Sequence, residues 1–174
     1  MRSVSFDLYF LERRPGQTWQ DAFAALEGGA EGRAVGEEEE RRWRAVEAAL
    51  RTVIPDADLF VGEDNRELSD EATGLQLSMF VGEISLSVPY WYEGPEAERM
   101  TETLKAVARA VEEATGLVAF DPQADAPFLD GGDTTAASTF QEVHDSLVSR
   151  GIRTGEAAPP PRPKQPFWRR LFRS

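Results

Sequence analysis

Val4, Phe6, Leu8 and Phe10 alternate with Ser3, Ser5, Asp7 and Tyr9, a period of two that predicts a strand with one buried face. Pro15-Gly16 ends it, and Thr18 is placed to cap a short helix carrying Trp19, Phe23 and Leu26 before Gly28-Gly29. Over Glu37–Val53 the period changes to that of a helix, with Trp43, Val46, Leu50 and Val53 on one side and acidic residues Glu37 to Glu40 at the positive end of its dipole. Pro55 stops that helix, Leu59-Phe60-Val61 predicts a short strand, and residues 62–73 are polar enough to predict a loop.

The stretch GLQLSMFVGEISLSVPYWYEG returns to a period of two. Leu75, Leu77, Met79 and Val81 precede Gly82-Glu83, and Ile84, Leu86, Val88 and Tyr90 follow. A two-residue turn at Gly82-Glu83 predicts a hairpin pairing Val81 with Ile84, Met79 with Leu86, Leu77 with Val88 and Leu75 with Tyr90. Pro89 places the second arm at a sheet edge, or bonding outward at that residue. Pro95–Thr115 is the longest predicted helix, with Met100, Leu104, Val107 and Val111 as its stripe and Gly116 as its stop. A strand over Leu117–Phe120 follows, then a loop. A last helix is predicted from Asp133 or Thr134 to Arg150, with Phe140, Val143 and Leu147 as its buried stripe.

This order predicts an α+β fold: an antiparallel or mixed sheet of four to five strands with helices on one face, ferredoxin-like in outline. The domain spans residues 1–151. Residues 152–174 form a Pro-rich linker and a basic amphipathic tail.

Charge sharpens that division. The chain carries −12, yet residues 151–174 hold Arg153, Arg162, Lys164, Arg169, Arg170 and Arg173 against Glu156 alone, a net +5 that leaves −17 on residues 1–150. So acidic a body repels nucleic acid and favours a basic protein partner. There is no cysteine, which removes thiol chemistry and disulfides, and no apolar run near the about 18 residues of a membrane span. Asp7 interrupts the opening apolar residues, so no secretory leader is read there and a cytoplasmic setting is expected.

The segments SFDLYF (Ser5–Phe10) and GLVAFDPQ (Gly116–Gln123) resemble those of a group of small uncharacterised bacterial proteins, common in actinobacteria. These open on a Ser-x-Asp-Leu strand and end their domain on Gly-Leu-Val-x-x-Asp-Pro-Gln. The resemblance spans residues 3–123 in outline and implies a protein-binding, immunity-like role. The helix after Asp133 and the basic tail are additions to that pattern.

Candidate chemistry is sparse. Asp7, Tyr9 and Asp121 would form a carboxylate site if adjacent strands brought them to one sheet face, as a small hydrolase or ligand-binding domain would need. Against this stand a solvent-facing strand aspartate and an Asp121-Pro122 turn starter. His144 is the single histidine and reads as a surface helix residue, so no metal or cofactor is implied. DGGDTT (Asp130–Thr135) lacks the lysine of a phosphate loop and the acidic ladder of a calcium loop. Trp91 and Tyr92 suit the sealing of a core edge better than a binding platform.

The tail carries the clearest pattern. On a helix, Phe167, Trp168, Leu171 and Phe172 fall between about 0° and 140°, and Arg169, Arg170 and Arg173 between about 200° and 300°. So short a segment takes helical form only against a surface. The prolines from Pro159 to Pro166 hold it away from the body. Residues 167–172 are therefore a docking element, whose surface is a protein groove first, an anionic membrane second and the acidic body third. The expected function is a non-enzymatic protein-binding module.

Overall fold

The computed structural model describes residues 5–28 and 35–130. The predicted helix from residue 133 to Arg150, His144, the turn beyond Asp130 and the docking element Phe167, Trp168, Arg169, Arg170, Leu171 and Phe172 lie outside them, as does the domain boundary at 151.

The elements run β1 (Ser5–Leu11), α1 (Trp19–Ala24) continued by a 3-10 turn (Ala25–Gly28), α2 (Glu37–Val53), β2 (Asp58–Val61), β3 (Asn65–Asp70), β4 (Leu75–Phe80), β5 (Glu83–Pro89), α3 (Gly94–Thr115), β6 (Val118–Asp121) and β7 (Ala126–Pro127). All seven strands join one antiparallel sheet in the order β2-β3-β4-β5-β1-β6-β7. The fold is α+β, but the sheet holds seven strands rather than four or five. β1 sits between β5 and β6, so the path β5-α3-β6 skips over a strand from the start of the chain, as in the ferredoxin-like plan. The meander β2 to β5 widens that plan.

Two strands account for the difference in number. β3, with sequence NRELSD, was expected as loop, since Leu68 is its single apolar residue. It forms because its backbone pairs on both sides, with β2 and with β4. β7 is two residues long and is held by pairing with β6.

Alternation along the strands sorts the side chains. Phe6, Leu8 and Phe10 of β1, Leu77 and Met79 of β4, and Ile84, Leu86 and Val88 of β5 join Trp43, Val46 and Leu50 of α2 and Met100, Leu104, Val107 and Val111 of α3 in the main core. The two long helices thus lie on one face, as the helical stripes require. On the other face, α1 covers the β1–β6 end through a smaller cluster of Tyr9, Leu11, Ala22 and Phe120, with Trp19, Phe23 and Leu26 against it. The Tyr9 and Phe23 rings meet edge to face at 4.8 Å, and Trp19 stacks on Phe120 at 6.0 Å. Thr18 caps α1 as expected, in a capping box with Asp21.

The hairpin differs in register. Met79 faces Ile84, Leu77 faces Leu86 and Phe80 faces Glu83, so Val81-Gly82 is the turn rather than Gly82-Glu83. Gly82 takes φ 75°, the left-handed second position of a turn, where a side chain is disfavoured. The shift moves each partner by two residues, which preserves which face every side chain takes. Pro89 is likewise not at a sheet edge: β5 is central, and Pro89 is its last residue, paired with Ser5 beyond the reach of β4.

Gly74 closes the turn into β4 at φ 66°, and a Cβ there would lie 2.8 Å from the Trp91 ring and 3.0 Å from the Pro89 ring. Gly74→Ala is expected to cost about 2 kcal/mol from the left-handed backbone and this collision together, measured as a shift in urea midpoint.

Candidate functional site

β2 forms one edge of the sheet and β7 the other. β7 is short and contains Pro127, which has no N–H to offer, so that edge is closed to further pairing. The β2 edge is open among the described residues. Leu59 packs against the main core, while Phe60 and Val61 are 54 % and 57 % exposed. Alternation puts Phe60 and Val61 on opposite sides of the strand, so apolar surface flanks the free edge above and below.

The edge is held firmly from behind. Arg51 of α2 donates to the Ala57 carbonyl at 3.4 Å, and the Gly62 N–H donates to the Asn65 carbonyl at 2.8 Å, closing the β2–β3 hairpin. Arg66 of β3, mostly buried, binds Glu40 at 2.6 Å and approaches Glu47 at 3.6 Å, tying the hairpin to α2. Asp56, Asp58, Glu63 and Asp64 surround the strand itself and give its ends a negative field.

The carboxylate site looked for in the sequence is divided by the sheet. Asp7 and Tyr9 lie opposite Ser87 and Ser85 of β5, on the face away from α2 and α3. On β6, Phe120 lies opposite Tyr9 and shares its face, so the next residue, Asp121, turns to the helix-covered face. Asp7 accepts from the Ser5 hydroxyl at 3.1 Å. Asp121 is 3 % exposed and accepts from the backbone N–H groups of Gln123 at 2.8 Å and Ala124 at 3.3 Å, starting the turn into β7.

Tyr90 and Gln123, to which the sequence assigned no role in a site, sit where Tyr90 feels the charge of both aspartates. The Gln123 side-chain amide donates to the Tyr90 hydroxyl at 2.6 Å, and the Tyr90 ring meets Phe6 edge to face. Burial pushes the Tyr90 hydroxyl above its usual pKa; the amide opposes this, and the charges of Asp7 and Asp121 add to it. The phenol is thus held protonated, which suits a structural clasp rather than a base. Its one sequence signal is Gln123 at the end of the GLVAFDPQ segment. The two resembling segments, Ser5–Phe10 and Gly116–Gln123, pair as neighbours through β1 and β6.

Burial also raises the Asp121 pKa, with the two backbone N–H groups pulling it partly back. A carboxyl that binds its proton more tightly when folded makes stability fall as pH rises from the unfolded range, near 3.8, through the folded value. Asn keeps the acceptor oxygen without the charge. Asp121→Asn is therefore expected to be more stable than the parent at pH 7, the difference shrinking as pH falls toward 3.8; thermal melts across pH read it.

Trp91 and Tyr92 seal the β3–β4 turn. The Tyr92 hydroxyl donates to the Thr73 carbonyl at 2.5 Å, and Trp91 covers Gly74. Among the described residues no group of three or more histidines and carboxylates is arranged to hold a metal ion, and no helix is long and apolar enough to cross a membrane.

No protein-family model, curated protein or solved structure matches this chain.

Proposed function

We propose that the chain is a protein-binding module which takes an extended, basic segment of its partner along the β2 edge. The observation that supports this is the β2 edge of the sheet, open among the described residues and flanked by exposed Phe60 and Val61. A strand added there gains main-chain hydrogen bonds from β2, and its alternate side chains meet Phe60 on one side and Val61 on the other. Asp56, Asp58, Glu63 and Asp64 favour lysine or arginine in the incoming strand. The proposal includes residues 167–172 as a second docking element and an immunity-like role, both carried by the sequence alone. The separation of Asp7 and Tyr9 from Asp121 across the sheet favours binding over the hydrolase alternative.

A displayed library of random peptides, panned against the full chain, tests the edge. Selected peptides are expected to alternate apolar with basic residues, and the F60K/V61K variant, which carries the edge lysines that oppose strand addition, is expected to bind them at least about tenfold more weakly. Equal binding by both chains would remove the proposal.

A further inference from the structure

The β2 edge offers less backbone than its length suggests. The Gly62 N–H donates to the Asn65 carbonyl at 2.8 Å, so Gly62 and Asn65 stand as a hydrogen-bonded pair at the end of the β2–β3 ladder. Such pairs alternate with non-bonded ones, so Phe60 and Asp58 also turn their N–H and C=O groups toward β3, opposite Glu67 and Ser69. Leu59 and Val61 turn theirs outward. Ala57, the preceding residue of that outward set, is already engaged: its N–H donates to the Ile54 carbonyl at 3.3 Å, and its carbonyl accepts from the Arg51 guanidinium at 3.4 Å. Past Val61 the chain turns back into β3. The open ladder therefore starts at Leu59 and stops at Val61.

The two sides of this short edge differ in chemistry. Leu59 and Val61 lie on the side of α2 and α3, where Leu59 aligns with Leu68, Leu77 and Leu86 across the sheet. Asp58 and Phe60 lie on the other side, next to Ser69 and Glu67, and both are exposed. Asp58 is the acidic residue within β2 itself, whereas Asp56, Glu63 and Asp64 lie off its ends.

We infer, resting on the β2-edge binding proposed above, that the partner segment runs antiparallel to β2, bonds through Leu59 and Val61, and turns its basic residues toward Asp58 and Phe60. In an antiparallel pair the residues directly opposite Leu59 and Val61 exchange both main-chain bonds, so so short a ladder is used in full; parallel bonds slant toward residues beyond it and pair less stably. A lysine or arginine opposite Asp58 makes a cross-strand ion pair, and one opposite Phe60 lays its cation or its stem on the ring. Apolar residues of the segment then meet Leu59 and Val61. From its N-terminus the segment reads apolar, basic, apolar, basic, opposite Val61, Phe60, Leu59 and Asp58 in turn.

The chain has no cysteine, so cross-linking can read both direction and face. The probe is the synthetic peptide Thr-Val-Arg-Val-Arg-Thr, with cysteine placed at each position in turn and incubated with full-length D58C or F60C in a buffer of reduced and oxidised glutathione. F60C is expected to capture cysteine at the first arginine and D58C at the second, each at least about tenfold over the neighbouring valines, because side chains come closest in the non-bonded pairs. D58N is expected to weaken binding of the unmodified peptide at least about threefold more than E63Q does, since Asp58 faces the added strand directly. Capture in the reverse order or at the valines, equal effects of D58N and E63Q, or no binding of this peptide by a chain that binds panned ones would each overturn the inference. Failure of edge binding itself looks different: F60K/V61K then takes up panned peptides as well as the parent does.

Discussion

Trp43→Ala is expected to destabilise the fold by about 3–5 kcal/mol, a large share of the about 5–15 kcal/mol that holds a typical domain. Trp43 is 1 % exposed and heads the largest fully buried side chains, standing in the layer between α2 and the sheet. Removing its ring leaves a cavity that helix and sheet cannot both relax to fill, since Val46 and Leu50 hold α2 in place from the same stripe. It also takes away the surface that the Arg66 guanidinium faces at 6.0 Å. Trp43→Phe separates these contributions. The indole N–H is buried with no hydrogen-bond partner among the described residues, so losing it removes a cost while most of the packing stays. We expect about 1 kcal/mol for Trp43→Phe against the larger loss for Ala, measured by urea unfolding on the full chain. An alanine variant as stable as the parent would show that α2 is not anchored through this ring.

Arg66→Met is expected to cost about 2 kcal/mol and to show its effect most at low salt. Arg66 bridges Glu40 and Glu47, which stand about two turns apart on α2. Methionine keeps the apolar stem and removes the charge, leaving Glu40 to Arg44 at 3.6 Å and Glu47 to Arg51 at 3.5 Å, both more exposed than Arg66. Full burial of the pair would make the loss larger, but Glu40 and Glu47 are 32 % and 22 % exposed, so water screens part of it. Arg66→Lys is not a rescue, because one ammonium cannot hold both carboxylates in the fork that the guanidinium provides. A cycle combining Arg66→Met with Trp43→Phe is expected to be non-additive, since the guanidinium lies over the indole ring at 6.0 Å. Equal stability of parent and R66M at low and high salt would remove the electrostatic reading.

The helices were legible because their signal is local. Glu37–Val53 carries its stripe, its acidic first turn and its stop at Pro55 within one window, and the observed α2 has the same bounds. The same holds for α3, where Gly116 in the left-handed conformation ends the helix with its N–H on the Glu112 carbonyl. Strand β3 was not legible for the opposite reason. Its residues carry no alternation beyond Leu68, and what fixes them is pairing with β2 and β4 on either side. The hairpin falls between these cases: alternation showed the faces, but the turn expected at Gly82-Glu83 lies one residue earlier, at Val81-Gly82, because alternation is unchanged by a two-residue shift in partners.

The candidate residues divide in the same way. Asp7 and Tyr9 were legible as neighbours because they share one strand at a period of two. Whether Asp121 joined them depended on the register of β6 against β1, which no local pattern encodes, and that register sends it to the other face. Phe60 and Val61 looked like ordinary strand residues until the order of the sheet put β2 at its edge.

By itself, then, the sequence determined the periods: where the chain turns helical, where it alternates, where glycine and proline interrupt it, and how charge separates body from tail. Tertiary structure decided strand order, register and which edge stays open, because these depend on pairings between segments far apart in the chain. Backbone hydrogen bonds are alike at every residue, so they cannot mark their partners in advance; the fit of the whole core chooses among them.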